Sequence, residues 1–266
     1  MSDICKGVYV IGVDGAMGSA VRRAPTPHLD GLLADGVVTY RGRTVVPSSS
    51  YQAWGAMFHG VGPETHLIDG EHPCADDTPW PSFMLVAKRA RPELPCASFS
   101  CWNPINQHIL EPGLECHRVS LPDPELAAAA SHYIRTTRPG MLFIHFDFID
   151  GAGHSHSYGS DAYLEQIAAT DAEVGRVLGA IRDAGQWDES LIVALSDHGG
   201  SGTSHGGDDP GCLEIFWGCR GPGVRQGVEL EGVVGIAQTA PTVARALGIV
   251  SPKGWEARVP DGVFQA

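Results

Sequence analysis

The chain has 266 residues, of which 18 are Lys or Arg and 31 are Asp or Glu, giving a formal net charge of −13. Only 3 of the cations are lysines and they form no run, which excludes a protein that grips polymeric nucleic acid through a basic face. A composition that is 43% hydrophobic and 18% charged excludes disorder, and the length fits one α/β domain over residues 1–266. With 34 Gly and 19 Pro, many shaped loops on a rigid scaffold are expected.

The opening stretch MSDICKGVYVIGVDG lacks the basic and apolar regions of a secretory signal. No apolar stretch approaches the roughly 20 residues of a membrane span, so a cytoplasmic setting without a membrane partner is expected. Seven cysteines, an odd number without a C-x-x-C pair, read as buried reduced thiols rather than a disulfide framework or a thiolate zinc site.

In chain order, Gly7–Val13 (GVYVIGV) is an apolar, non-alternating run that suits a strand buried on both faces. A helix is expected near Thr26-Pro27, with Pro27 in its first turn and Leu29, Leu32 and Leu33 inward. A strand over Val37–Val46 leads to Pro47-Ser48-Ser49-Ser50, and a short helix follows through Trp54, Met57 and Phe58. Ile68–Pro81 reads as loop, Ser82–Arg89 as helix and Cys96–Cys101 as a short strand. Asp123 is placed to cap a helix running to about Thr136, with Pro124 at its first position. Met141–Phe148 (MLFIHFDF) is then a strand ending at Asp150, and Ser160 caps a long helix to Ala184. Leu191–Leu195 and Leu213–Trp217 are strands, and Ile236–Leu247 is a final helix. Such alternation predicts a mostly parallel central sheet with helices on both faces.

Ligands of open α/β sheets sit outside the carboxyl ends of the strands. Asp14 follows the first strand, Asp150 and His154 follow MLFIHFDF, Asp197 and His198 follow LIVAL, and His205 lies on the Gly-rich loop after them. Three carboxylates and three imidazoles therefore converge on one sheet edge, where Gly153 permits a short turn between Asp150 and His154. Mixed imidazole and carboxylate suit zinc, or less selectively manganese or iron. Six such side chains are too many for one tetrahedral ion and about right for two.

Asp14, the Pro47–Trp54 segment, Asp150-Gly-Ala-Gly-His154, Ser196-Asp197-His198-Gly and His205-Gly206 resemble the alkaline phosphatase superfamily, in particular its type I phosphodiesterase/nucleotide pyrophosphatase branch. Supporting matches are Ala24–Leu32, Gly60–His66 and Ala240–Gly248, so the resemblance spans nearly the whole chain. It implies an alkaline phosphatase-like core, minimal and without a large cap domain. It further implies one metal held by Asp14, Ser50, Asp197 and His198, a second held by Asp150, His154 and His205, and Ser50 as nucleophile. A serine hydroxyl is a weak nucleophile until a divalent ion lowers its pKa, and a phospho-serine intermediate would follow.

The implied activity is hydrolysis of a small phosphate ester, with a diester preferred because no arginine is evidently placed to hold a second phosphate charge. A phosphomonoesterase or phosphonate hydrolase with the same site is the alternative, and from another class a non-catalytic metal- or ligand-binding relative. Ser50 is followed by Tyr51-Gln52-Ala53-Trp54, which lacks the C/S-x-P/A-x-R motif of sulfatases. The chain departs from the phosphodiesterase pattern in having no Asn in the His66-Leu-Ile-Asp69-Gly70 run, so Gln52 or the Tyr51 backbone N–H is the candidate replacement. Tyr51 and Trp102 read either as pocket lining or, for Trp102, as a core plug. His156 reads as a leaving-group contact or a solvated loop histidine. Asp147 reads as support for a ligand histidine or a buried polar contact, and Arg41 and Arg43 as a phosphate clamp or strand-surface charge.

Overall fold

The computed structural model describes residues 4–265. In chain order, the first elements are β1 (Gly7–Val13), α1 (Gly18–Arg23), α2 (Pro27–Ala34), β2 (Val37–Arg43), α3 (Ser50–His59), α4 (Pro63–His66) and α5 (Phe83–Ala90). β3 (Cys96–Ser100), a π-helical turn (Ile105–Ile109), β4 (His117–Val119), α6 (Asp123–Thr137), β5 (Met141–Phe146), α7 (Phe148–His156) and α8 (Asp161–Asp183) follow. The rest is β6 (Ser190–Ser196), α9 (Pro210–Leu213), β7 (Glu214–Arg220), β8 (Val228–Glu229), a 3-10 turn (Ile236–Gln238) and α10 (Thr239–Ala246).

Among the described residues, eight strands form one sheet in the order β4-β3-β5-β1-β6-β7-β2-β8. It is parallel except where β7 pairs antiparallel with β6 and β2. β1 is buried along its whole length. Val8 and Val10 enter one apolar layer with Trp54, Phe58, Phe83 and Val243, whereas Tyr9 and Ile11 enter the other with Leu32, Ile134, Val174 and Leu178. The period of two thus gives each face its own core, covered by α3, α5 and α10 on one side and α2, α6 and α8 on the other. Each fully buried aliphatic side chain in these layers contributes about 1.5–3 kcal/mol.

The register positions the site. Val13 of β1 pairs with Phe146 of β5 and with Ser196 of β6, so three parallel strands end level and release Asp14, Asp147 and Asp197 side by side.

Several expectations are corrected. The strand expected to run to Phe148 stops at Phe146, and α7 starts at Phe148, so Asp150 and His154 share a helix face at i and i+4 rather than a Gly153 turn. Asp123 is not the cap of α6; Pro122 holds that position and the Asp123 carboxylate instead accepts from the N–H groups of Asp147 and Phe148. β2 ends at Arg43, and α1 carries no strong periodic signal. Ser82 and Ser160 do cap their helices, accepting from Leu85 and Tyr163. No helix among the described residues is long and apolar enough to cross a membrane.

Candidate active site

Asp14 leaves β1 fully buried. Its Oδ2 accepts from Trp54 Nε1 at 3.0 Å and from His145 Nε2 at 2.8 Å, while Oδ1 is buried without a hydrogen-bond partner among the described residues. Asp197 repeats the pattern. Its Oδ1 accepts from the N–H groups of Gly15, at 3.0 Å, and His198, at 2.8 Å, and Oδ2 is buried and unpartnered. Gly15 has φ +67, and a Cβ there would lie 2.6 Å from Asp150 Oδ1, so only glycine lets its N–H reach Asp197.

His198 Nε2 lies 3.3 Å from Asp14 Oδ1 and 3.4 Å from Asp197 Oδ2, and the Ser50 hydroxyl donates to it at 3.3 Å. The three imidazoles share one arrangement: Nδ1–H donates to a backbone carbonyl, that of Gly199 for His198 at 2.9 Å, Thr203 for His154 at 2.8 Å and Ser48 for His205 at 3.0 Å. Such bonds fix the tautomer that leaves Nε2 as a lone-pair donor. His154 Nε2 lies 3.2 Å from Asp150 Oδ2 and His205 Nε2 3.8 Å from Asp150 Oδ1, and the Tyr158 hydroxyl donates to Asp150 Oδ1. The rings of His198 and His205 stack at 3.9 Å, so His198 faces both Asp14/Asp197 and Asp150/His205.

Burial pushes the Asp14 carboxyl up, but His145, His198 and Trp54 outweigh it and hold the group far below the usual carboxylate range. Asp197 goes the other way, raised well above its ordinary value by burial and then by the Asp14 charge. Burial lowers His198. Two adjacent buried carboxylates with opposite shifts, each presenting an unpartnered oxygen, form a negative cavity that a divalent cation fits. Asp14, Asp197 and His198 could hold one ion and Asp150, His198 and His205 form an overlapping group, with Ser50 Oγ beside His198 and His154 Nε2 beside Asp150.

Of the remaining candidates, the Tyr51 ring packs edge-on to Trp102 at 4.6 Å, an aromatic wall beside Ser50. Gln52 lines a cavity of about 480 Å³ with Val46, Pro47, Leu67 and Asp69. His156 is exposed and faces the groove between α7 and α8 with Phe148, Ser155 and Glu165, so it does not join the cluster. Arg41 and Arg43 line a separate cavity with Asp208 and Glu214. Cys101 and Cys116 are only half-buried, unlike the other five thiols. Burial pushes Cys5 up to about 11 and Cys74 up to about 12, far from the thiolate form that attacks or ligates. A further group, His59, Cys74 and Glu111, is already occupied, since His59 bonds the carbonyls of Trp80 and Ile109 and Glu111 binds Ser82.

Sequence reasoning missed His145, Trp54, Tyr158 and Ser48. Ser48, fully buried, donates to the Gly207 carbonyl at 2.6 Å and accepts from Gly206 N–H at 3.1 Å, holding the loop that carries His205. A histidine inside the apolar strand MLFIHFDF was the one visible signal.

Residues 87–214 match the family described as Type I phosphodiesterase / nucleotide pyrophosphatase. A 99-residue stretch is 29% identical to arylsulfatase K of Danio rerio, covering 35% of this chain and 18% of that protein. Among solved structures, murine ectonucleotide pyrophosphatase / phosphodiesterase 5, in an inactive form in complex with AMP, superposes with a TM-score of 0.78 at 13% identity over 92% of this chain and 96% of that one. A 2-O GAG sulfatase gives 0.78 at 14% over 96% and 73%. The phosphonate monoester hydrolase of Agrobacterium radiobacter gives 0.74 at 16% over 97% and 78%. The family match covers just under half of this chain, and the solved structures share its fold, the alkaline phosphatase-like one expected from the sequence.

Proposed function

We propose, for a chain with the alkaline phosphatase-like fold, a two-metal hydrolase domain that cleaves a phosphate ester, preferably a diester, through Ser50. The observation that carries this reading is the convergence of Asp14 Oδ1, Asp197 Oδ2, His198 Nε2 and Ser50 Oγ at the level carboxyl ends of β1 and β6. Ions of the zinc class, held by the two donor groups, would supply the positive charge that lowers the hydroxyl pKa and offsets charge on the phosphate oxygens.

Ser50 opens α3, whose N-terminus has no side-chain cap. Its Oγ bonds phosphorus as the ester P–O bond breaks, and the hydroxyl proton leaves with the departing alcohol. Water then attacks phospho-Ser50 and restores the hydroxyl. The Tyr51 N–H, in the first turn of α3, would donate to a phosphate oxygen in place of the missing Asn. Tyr51 and Trp102 offer an apolar wall to the ester group. The donor cluster contains no arginine or lysine to hold a second phosphate charge, which favours a diester over a monoester. We read the setting as cytoplasmic, as the unpaired thiols suggest.

The test is turnover of bis-p-nitrophenyl phosphate, p-nitrophenyl phosphate, phenyl p-nitrophenylphosphonate and p-nitrophenyl sulfate by Zn²⁺-loaded protein. Fastest turnover of the diester is expected. Turnover of the sulfate alone would contradict the reading, and turnover of none would favour a binding relative.

A further inference from the structure

Resting on that reading, we infer that His145 is a positioning residue for one of the two ions: it binds Asp14 Oδ2 so that Oδ1 faces the Asp197/His198 group.

His145 is in the middle of the sheet, paired in register with Gly12 of β1 and Ser100 of β3 and fully buried. Its neighbours on that face are aromatic, with the Trp54 ring edge-on at 5.2 Å. Nε2 donates to Asp14 Oδ2 at 2.8 Å, while Nδ1 has no hydrogen-bond partner among the described residues. The ring therefore makes one polar bond, and that bond goes to Asp14. Packing alone does not account for a buried imidazole with half its bonding capacity unmet, because an apolar side chain would fill the same space without that desolvation cost.

The bond has a directional consequence. A carboxylate can rotate, and an unrestrained Asp14 could present either oxygen, or both, to His198 and Ser50. Trp54 and His145 converge on Oδ2 from α3 and β5, leaving Oδ1 as the oxygen 3.3 Å from His198 Nε2. No comparable restraint links His145 to the other group, where Asp150 is held by Tyr158. Loss of His145 should thus weaken one ion and spare the other. Residues that orient metal ligands typically change affinity by about 10–100-fold.

The experiment is calorimetric titration of the metal-free full chain with Zn²⁺, beside thermal melts. Three variants are compared with wild type: His145→Leu, His145→Gln, whose amide nitrogen falls near the position of Nε2, and His145→Asn, whose amide falls near Nδ1. Expected are two binding events in wild type. His145→Leu and His145→Asn should weaken one of them by about 10–100-fold, and metal-free His145→Leu should melt lower, because it leaves Asp14 Oδ2 with Trp54 as its remaining partner. His145→Gln should restore much of the lost affinity. Wild-type binding that His145→Leu leaves untouched would overturn this inference alone, as would equal weakening of both events by all three variants. A wild-type chain that takes up no Zn²⁺ would overturn it together with the two-ion reading.

Discussion

The indole Nε1 of Trp54 donates to Asp14 Oδ2 at 3.0 Å, and this bond ties the helix that begins with Ser50 to the strand end that carries Asp14. Ser50 and Asp14 are thereby positioned by the same core side chain. Space for the indole depends on Gly12, where a Cβ would lie 2.4 Å from the ring. Gly12→Ala is expected to destabilise the fold by about 1–3 kcal/mol through overpacking, and to reduce activity beyond that by displacing Trp54. Denaturant unfolding and turnover at a temperature where the variant is fully folded check this; full activity in the folded variant would contradict it.

Tyr158 acts on the other carboxylate, donating its hydroxyl to Asp150. Tyr158→Phe keeps the ring against Tyr163 and His154 and deletes only the donor. The expected result is about tenfold weaker binding of one Zn²⁺ with little change in melting, read by competition with a chromogenic chelator.

Ser48 links the loop before Ser50 to the loop that carries His205. Ser48→Ala leaves the Gly206 N–H without this partner, at a cost of about 1–3 kcal/mol if it stays buried. Hydrogen exchange should speed up at Gly206 and Gly207 before it does so in β6. Uniform protection across both segments would contradict the link.

The Asp147 carboxyl is pushed up to about 7, first by burial and then by the negative charge of Asp14. An unfolded Asp titrates near 3.9, so as pH rises the unfolded state releases this proton first. The stability that the group contributes is therefore fully present below about pH 4 and is lost as pH climbs through 7. Asp147→Asn removes that dependence. For metal-free protein, the melting temperature of the variant minus that of wild type should grow between pH 4 and pH 7 and level off above. Scanning calorimetry across that range checks it, and a constant difference would contradict it.

Local pattern carried much of the fold. The apolar runs of β1, β5 and β6 announced a buried parallel sheet, and Pro27 and Ser160 marked helix starts. The acids and histidines after those strands announced the site, because strand ends and Asp or His are both local facts. What could not be read was local to nothing in the chain. α7 begins directly after β5 because Asp123, 24 residues earlier, binds the Asp147 and Phe148 N–H groups, so the spacing of Asp150 and His154 looked like a turn. Trp54, His145 and Tyr158 resembled ordinary core residues, and only register and packing reveal the carboxylate each one binds. His156 shared a motif with His154, yet helical rotation turns it to another face.

The most direct measurement is hydrolysis of bis-p-nitrophenyl phosphate by Zn²⁺-loaded wild type and by Ser50→Ala, each with Zn²⁺ content determined on the same sample. The account predicts turnover by wild type and a loss of at least about 1,000-fold in Ser50→Ala, with the variant still binding Zn²⁺. Equal turnover by the two proteins at equal metal content would contradict Ser50 as the nucleophile, and with it the central claim.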